Sequence, residues 1–350
     1  MKKQVTSWIG KDKDMIDLRS DTVTRPTAGM MDAMMSAEVG DDVFAEDPSI
    51  NALQNKLASM FGHEAGLYCP SGTMTNQIAI QCHTQPGDEV ICSSYSHIYN
   101  YEGGGIAKNS GSSVRLIPSP FLTAHDVLEN INPADDHYAR TSLASIEDTV
   151  NKGGGICYDM AEIEALKQVC AENSLGFHLD GARVFNAVVS KSHSTKEYGK
   201  QFDSISICLS KGLGCPVGSV LLGSEDFIHK AHRSRKGMGG GMRQAGFMAA
   251  AALYALENNV ERMSKDHERA SQLAKILASK SWVKAVPQPE TNIVIFELNE
   301  LEASIVIKAL ENKGILALPF GKTKIRLVTH LDVVQSKIDE ACEVIAGLEF

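Results

Sequence analysis

An α/β fold with a mostly parallel sheet, followed by a smaller C-terminal α+β domain, is what this sequence predicts. Two observations carry that expectation. Short apolar runs alternate with longer amphipathic stretches, the pattern of strand–helix units that wind a parallel sheet. Ser71, Asp180 and Lys211 each fall just after an apolar run, and the carboxyl ends of strands are where such a sheet binds its ligands.

Residues 1 to about 14 read as a polar extension. From Ser49, the spacing Ile50, Leu53, Leu57, Met60 predicts an amphipathic helix. Strands are expected at 65–68, 88–92, 113–117, 142–146, 175–179, 204–209 and 217–222, with helices over 73–83, 160–173 and 225–233. One long helical pattern runs from Gly246 to about Lys280. It is followed by strand-like 292–297, helix-like 301–312, strand-like 324–328 and helix-like 333–347. The expected domains are therefore 15–250, and 251–350 as a connecting helix with a small domain. No internal repeat interrupts the chain.

The chain has 350 residues and a formal charge of −9, with a pI near 5.7. No long basic tract offsets that acidity, which argues against a nucleic-acid partner. The eight cysteines form no C-x-x-C pair, so zinc and dithiol chemistry are not indicated and no metal is expected. Several lie in apolar runs, as small buried thiols do in a reducing compartment. The N-terminal residues lack the apolar core of a signal peptide, and no run reaches the length of a membrane-spanning helix. A cytoplasmic location is the expectation.

The chemistry concentrates in a few places. Lys211, in Leu209-Ser210-Lys211-Gly212-Leu213, sits between an apolar run and glycines. Asp180, in His178-Leu179-Asp180-Gly181-Ala182-Arg183, ends an earlier run. A lysine amine and a carboxylate so placed suit pyridoxal 5′-phosphate (PLP): the amine forms a Schiff base, and the acid pairs with the pyridinium nitrogen. A solvated lysine before a turn and an Asp N-cap are the bland alternatives. Ser71, Gly72 and Thr73 lie between strand and helix, as either a phosphate cradle or a plain cap. His97 could stack on a pyridine ring. His97 or His137 could be a general base, although lone histidines are more often without a ligand. Arg183 and Arg326 offer the planar fork that matches a carboxylate, against the alternative of a surface ion pair. Gly239-Gly240-Gly241 with Arg243 could approach a phosphate or form a hinge. A dinucleotide-binding reading is disfavoured, because no G-x-G-x-x-G opens a helix after the first strand.

Taken in order, these blocks resemble the low-specificity L-threonine aldolases, within the β-eliminating lyase group of fold-type I PLP enzymes. The likeness runs from Met15 to Pro26, then through Val39–Pro48, Pro70–Met74, His178–Arg183, Leu209–Leu213, Gly239–Gln244 and Ile325–His330. It implies reversible cleavage of L-threonine or L-allo-threonine to glycine and acetaldehyde, with β-elimination or a phenylserine-type aldol reaction as alternatives and a non-catalytic PLP protein as the most distant. It also implies the roles. Lys211 is the Schiff-base lysine and Asp180 the pyridinium partner. Ser71, Gly72 and Thr73 cradle the phosphate, and His97 stacks on the ring. Ser20, Arg183 and Arg326 hold the substrate carboxylate. His137 matches a histidine proposed to assist proton transfer, and Arg243 is expected to reach the site of a neighbouring subunit. A homodimer or homotetramer with active sites at the dimer interface follows from the same likeness. Two places depart from the usual pattern: Asp148 stands where Asn is common, and the glycine-rich loop 151–159 has an unusual composition.

Overall fold

Seven strands form the sheet of the larger unit: β1 Ala65–Cys69, β2 Glu89–Ser93, β3 Ser113–Ile117, β4 Thr141–Glu147, β5 Gly176–Gly181, β6 Ser204–Cys208 and β7 Ser219–Gly223. The structure is a computed structural model that describes residues 15–350. The expected polar extension at 1–14 lies outside the described residues. Strand order is β1-β7-β6-β5-β4-β2-β3. The run β6-β5-β4-β2-β3 is parallel, and β7 is antiparallel to both β6 and β1. It follows that β1, β2, β4, β5 and β6 all end on one edge. Apart from the half-exposed edge strand β3, these strands are almost wholly buried and read as apolar runs, which is why they were visible in the sequence.

The helices of this unit include α1 Ala28–Met35, α2 Pro48–Phe61, α3 Gly72–His83, α4 Met160–Glu172, α5 Val184–Lys191, α6 Glu225–Gly237 and α7 Gly246–Asn258. Local signals account for their ends. Asp47 caps α2 by accepting from the Ile50 N–H, Pro48 follows, and Gly62 stops the helix at φ 72°, a left-handed conformation that suits glycine. The buried stripe of α2 is Ile50, Leu53, Leu57 and Phe61, so Phe61 takes the inward position expected of Met60. Ser224 caps α6, which carries Glu225 and Asp226 in its first turn and Arg235 and Lys236 in its last, matching the helix dipole at both ends.

The long helix expected over 246–280 is two helices, α7 and α8 Met263–Ala278. The break has a physical reason. Asn258 bonds its own helix at the Tyr254 carbonyl, while the buried Asn259 donates to the Leu213 carbonyl (2.7 Å). A side chain committed to another loop ends the helix there.

The chain divides into two compact units, 25–261 and a second that joins 15–24 to 262–350. The division thus falls after 261, and the segment expected to open the large domain belongs to the other unit. Ile16–Asp17 pairs in parallel with Ile315–Leu316. In the smaller unit, β8 Val283–Ala285, β9 Ile293–Leu298, β10 Leu318–Pro319 and β11 Lys324–Val328 form a sheet of order β10-β11-β9-β8, antiparallel throughout. With α8, α9 Ala303–Asn312 and α10 Gln335–Ala346, it buries Leu18, Leu273, Phe296, Ile325 and Ile338 in one core.

Candidate active site

The carboxyl edge of the larger sheet collects the ionisable side chains. Past β6, Leu209 stays in the ladder, donating to the Gly218 carbonyl (3.0 Å) and accepting from the Cys215 N–H (3.2 Å). Lys211 then opens a tight turn closed by the Gly214 N–H on its carbonyl (2.8 Å), and Asn259 holds the same turn at Leu213. A half-buried lysine on so pinned a turn has its backbone position set before any ligand arrives.

Asp180, near the end of β5, is buried. Its Oδ2 accepts from Asn76 Nδ2 (2.9 Å), and its Oδ1 accepts from the Ala182 N–H (3.2 Å). Asn76 sits on α3, and the same amide nitrogen donates to Glu102 Oε1 (2.9 Å). Glu102 also accepts from Gln77 Nε2 (2.5 Å) and pairs with His97 Nδ1 (2.9 Å). One ligating atom each from His97, Glu102 and Asp180 lies within 4.8 Å of the others.

These charges act on one another. Burial pushes the His97 pKa down, but its bond to Glu102 and the charges of Asp180 and Glu102 outweigh burial, and the pKa is raised overall. The Lys211 ammonium is near enough to oppose that rise. Glu147, at the end of β4, accepts from the backbone N–H groups of His97 (2.7 Å) and Asn151 (2.9 Å). Burial, with the Asp180 charge beside it, drives its pKa upward.

Ser71 caps α3 by accepting from the Met74 N–H (3.2 Å), so the plain capping role is real. It does not use up the helix end. The first turn of any helix carries N–H groups without an intrahelical partner, and Ser71 and Thr73 are exposed. A Cβ built on Gly72 would meet no neighbour nearer than 3.8 Å, so protein packing does not demand glycine and leaves room above the turn. The glycine loop lies against this helix end: a Cβ on Gly240 would strike Met74 Sδ at 2.2 Å. These features fit PLP, with a lysine amine, a buried carboxylate, a histidine ring and an open helix N-terminus converging on one sheet edge.

The remaining expected residues have the following places. Arg183 is buried at the N-cap position of α5, three residues past Asp180. Arg243 is half-exposed and paired with Asp41 (2.9 Å). Ser20 and Arg326 belong to the smaller unit. Ser20 caps a short turn at Asp21–Val23, and Arg326 donates to the neighbouring Arg19 carbonyl (3.3 Å). His137 is not brought to the Lys211 edge of its own chain. It precedes β4, while Glu147 ends it, and a seven-residue strand spans about 20 Å. Its side chain is 89% exposed and pairs with Asp135 (2.7 Å).

Sequence reasoning missed Asn76, Glu102, Glu147 and Asn259 as site-shaping residues. Asn76 lies three residues past the Ser71–Thr73 motif, on the helix that the motif opens. Glu102, five residues past His97, gave no signal until the turn between them was known. Asp148, the departure next to Glu147, is buried, accepts from the Tyr198 hydroxyl (2.5 Å) and donates its N–H to the Asp180 carbonyl (3.1 Å).

Comparison with known proteins agrees with this geometry. Residues 17–301 match the family model described as β-eliminating lyase. The chain is 42% identical over 335 residues to the low specificity L-threonine aldolase of Escherichia coli K12, covering 93% of this chain and 97% of that one. It is 39% identical to low-specificity L-threonine aldolase 1 of Arabidopsis thaliana, over 92% of this chain and 93% of that one. The structure of a Leishmania major threonine aldolase superposes with a TM-score of 0.81 at 20% identity, covering 94% of this chain and 98% of that one, and so shares the fold. With this sheet edge and these relatives, the chain belongs to the β-eliminating lyase family, among the PLP-dependent enzymes that include the low-specificity L-threonine aldolases.

Proposed function

We propose that this enzyme cleaves L-threonine and L-allo-threonine to glycine and acetaldehyde. The observation that carries the reading is the meeting of Lys211, Asp180 and His97 at one sheet edge. PLP, when bound, supplies the electron sink that breaking a bond at the substrate Cα requires.

The chain's own residues do the rest. Lys211 would hold the cofactor through its amine. Asp180, bonded by Asn76 and the Ala182 N–H, stays an acceptor for the pyridine nitrogen. Ser71, Gly72 and Thr73 would hold the phosphate at the N-terminus of α3, and His97 would pack against the cofactor ring. With Nδ1 engaged by Glu102, His97 presents Nε2 to the β-hydroxyl proton, directly or through a water. Arg183 in the larger unit, and Ser20 with Arg326 in the smaller, we assign to the substrate carboxylate. Arg326→Ala should raise KM about tenfold with a smaller change in kcat; an unchanged KM removes that assignment.

We further assign a homodimer or homotetramer, with active sites at the dimer interface and Arg243 serving a neighbouring site. Met35 and Phe44 are 80% and 70% exposed. A groove of about 470 Å³ lined by Ala33, Ala37, Ala250 and Tyr254 lies on the same unit. Such apolar exposure marks an interaction surface, and light scattering of the purified protein tests it. No helix among the described residues is long and apolar enough to cross a membrane. All eight cysteines are free, which supports a cytoplasmic site of action and is checked by fractionation.

The deciding assay supplies PLP with each diastereomer and measures products. Equimolar glycine and acetaldehyde are expected. A keto acid with ammonia would overturn aldol cleavage in favour of β-elimination.

A further inference from the structure

The Asp180 carboxylate ends a buried hydrogen-bond chain of which the function above uses only the last link, from Asn76. Asp180 Oδ2 meets Asn76 Nδ2 at 2.9 Å, and Asn76 Oδ1 meets His178 Nε2 at 3.2 Å. His178 Nδ1 meets Ser204 Oγ at 2.8 Å, and Ser204 Oγ meets His83 Nε2 at 2.8 Å. Asn76, His178, Ser204 and Asp180 are each 2% exposed or less, so water does not compete for these groups.

Elementary valence sets the direction of every link. The Asn76 amide faces two carboxylates, Asp180 and Glu102, and only its NH₂ can serve both. Its oxygen therefore faces His178 and needs a donor, so His178 carries its proton on Nε2. Burial pushes the His178 pKa down to about 3, with the neighbouring His83 adding to the fall and a smaller opposing contribution from the Ser204 backbone, so the ring is neutral; with its one proton on Nε2, Nδ1 accepts. Ser204 must then donate to Nδ1, and its oxygen must accept from His83 Nε2–H. Burial likewise lowers His83, to about 4. Four donors in series point toward one carboxylate, and hydrogen bonds so aligned polarise one another in a low dielectric.

We infer that Asn76 is a positioning residue for the pyridine-nitrogen partner, the last member of a single-polarity relay from His83 through Ser204 and His178 that fixes the orientation of the Asp180 carboxylate. The inference rests on Asp180 pairing with the cofactor nitrogen. Through its second amide hydrogen Asn76 also reaches Glu102, and so ties Asp180 to the carboxylate that orients His97.

The first test uses unmodified, cofactor-free protein. Nitrogen-15 NMR of labelled histidines, assigned with single substitutions, should find His178 and His83 both as neutral Nε2–H tautomers. An Nδ1–H tautomer or an imidazolium at His178 would overturn the relay. The second test uses holoenzyme. Asn76→Leu should weaken PLP binding about tenfold, the loss of one charge-assisted bond. His178→Phe should weaken it to a similar or lesser degree, and His178→Gln, whose amide N–H replaces the donor, should restore it to within about twofold. Unchanged PLP affinity in folded Asn76→Leu would sink the inference. Asp180→Ala separates the two levels. If it binds PLP and turns over like wild type, the reading of Asp180 itself fails; if it is impaired while Asn76→Leu is not, only the relay fails.

Discussion

Two histidine–carboxylate pairs sit near opposite ends of β4, and they have almost the same length. His97 Nδ1 lies 2.9 Å from Glu102, and His137 Nδ1 lies 2.7 Å from Asp135. Distance does not distinguish them, but surroundings do. Glu102 has no exposed side-chain surface and takes two further donors from Asn76 and Gln77; Asp135 is half-exposed and bonds only within its own turn. The buried pair raises its histidine's pKa against desolvation, whereas an exposed pair competes with water and salt. A charge pair becomes chemistry when neighbours hold both partners and water is excluded.

The comparison is broken hardest at its centre. Lys211→Ala should abolish turnover and the visible absorbance of the bound cofactor, with the fold retained; a retained band moves the attachment elsewhere. Asp180→Ala should lower kcat/KM about a hundredfold, the order of a lost charge-assisted contact. A loss below about threefold would take Asp180 out of the site.

Glu102→Gln sharpens the comparison more finely. It removes what raises the His97 pKa, so the acid limb of the pH–rate profile should move to lower pH, with kcat/KM falling about tenfold. The stability effect has a definite sign. His97 has a folded pKa above its ordinary value, so the pair stabilises the fold fully below the unfolded pKa and loses that contribution as pH rises through the folded one. The drop in Tm on substitution should thus be larger near about pH 5.5 than near about pH 9; the reverse trend would remove the ionised pair from the account.

His137→Ala is the smallest change. Tm and PLP affinity should not move, because an exposed pair contributes little. Altered turnover with unaltered PLP affinity would bring His137 in from another copy of the chain.

Much of this was legible in the sequence, and the reasons differ by element. All seven large-sheet strands lie within two residues of their expected positions; six are buried and read as apolar runs, while the half-exposed edge strand β3 still carries Val114, Leu116 and Ile117. The antiparallel direction of β7 was not legible, since an apolar run carries no direction. Nor was the break after Asn258, which depends on Asn259 reaching Leu213, 46 residues earlier. The positions of Lys211 and Asp180 were readable because strand ends followed by glycine mark a sheet edge. Asn76 and Glu102 were not, because their meaning comes from partners up to 104 residues away. His137 shows the converse, a suggestive local motif that the strand carries to the opposite end.

The most direct test of the central claim is chemical. The holoenzyme is reduced with borohydride, digested and mapped by mass spectrometry. A single pyridoxyl group on the peptide containing Lys211 is the predicted result. A pyridoxyl group on another lysine, or none in protein that binds PLP, would contradict the site described here.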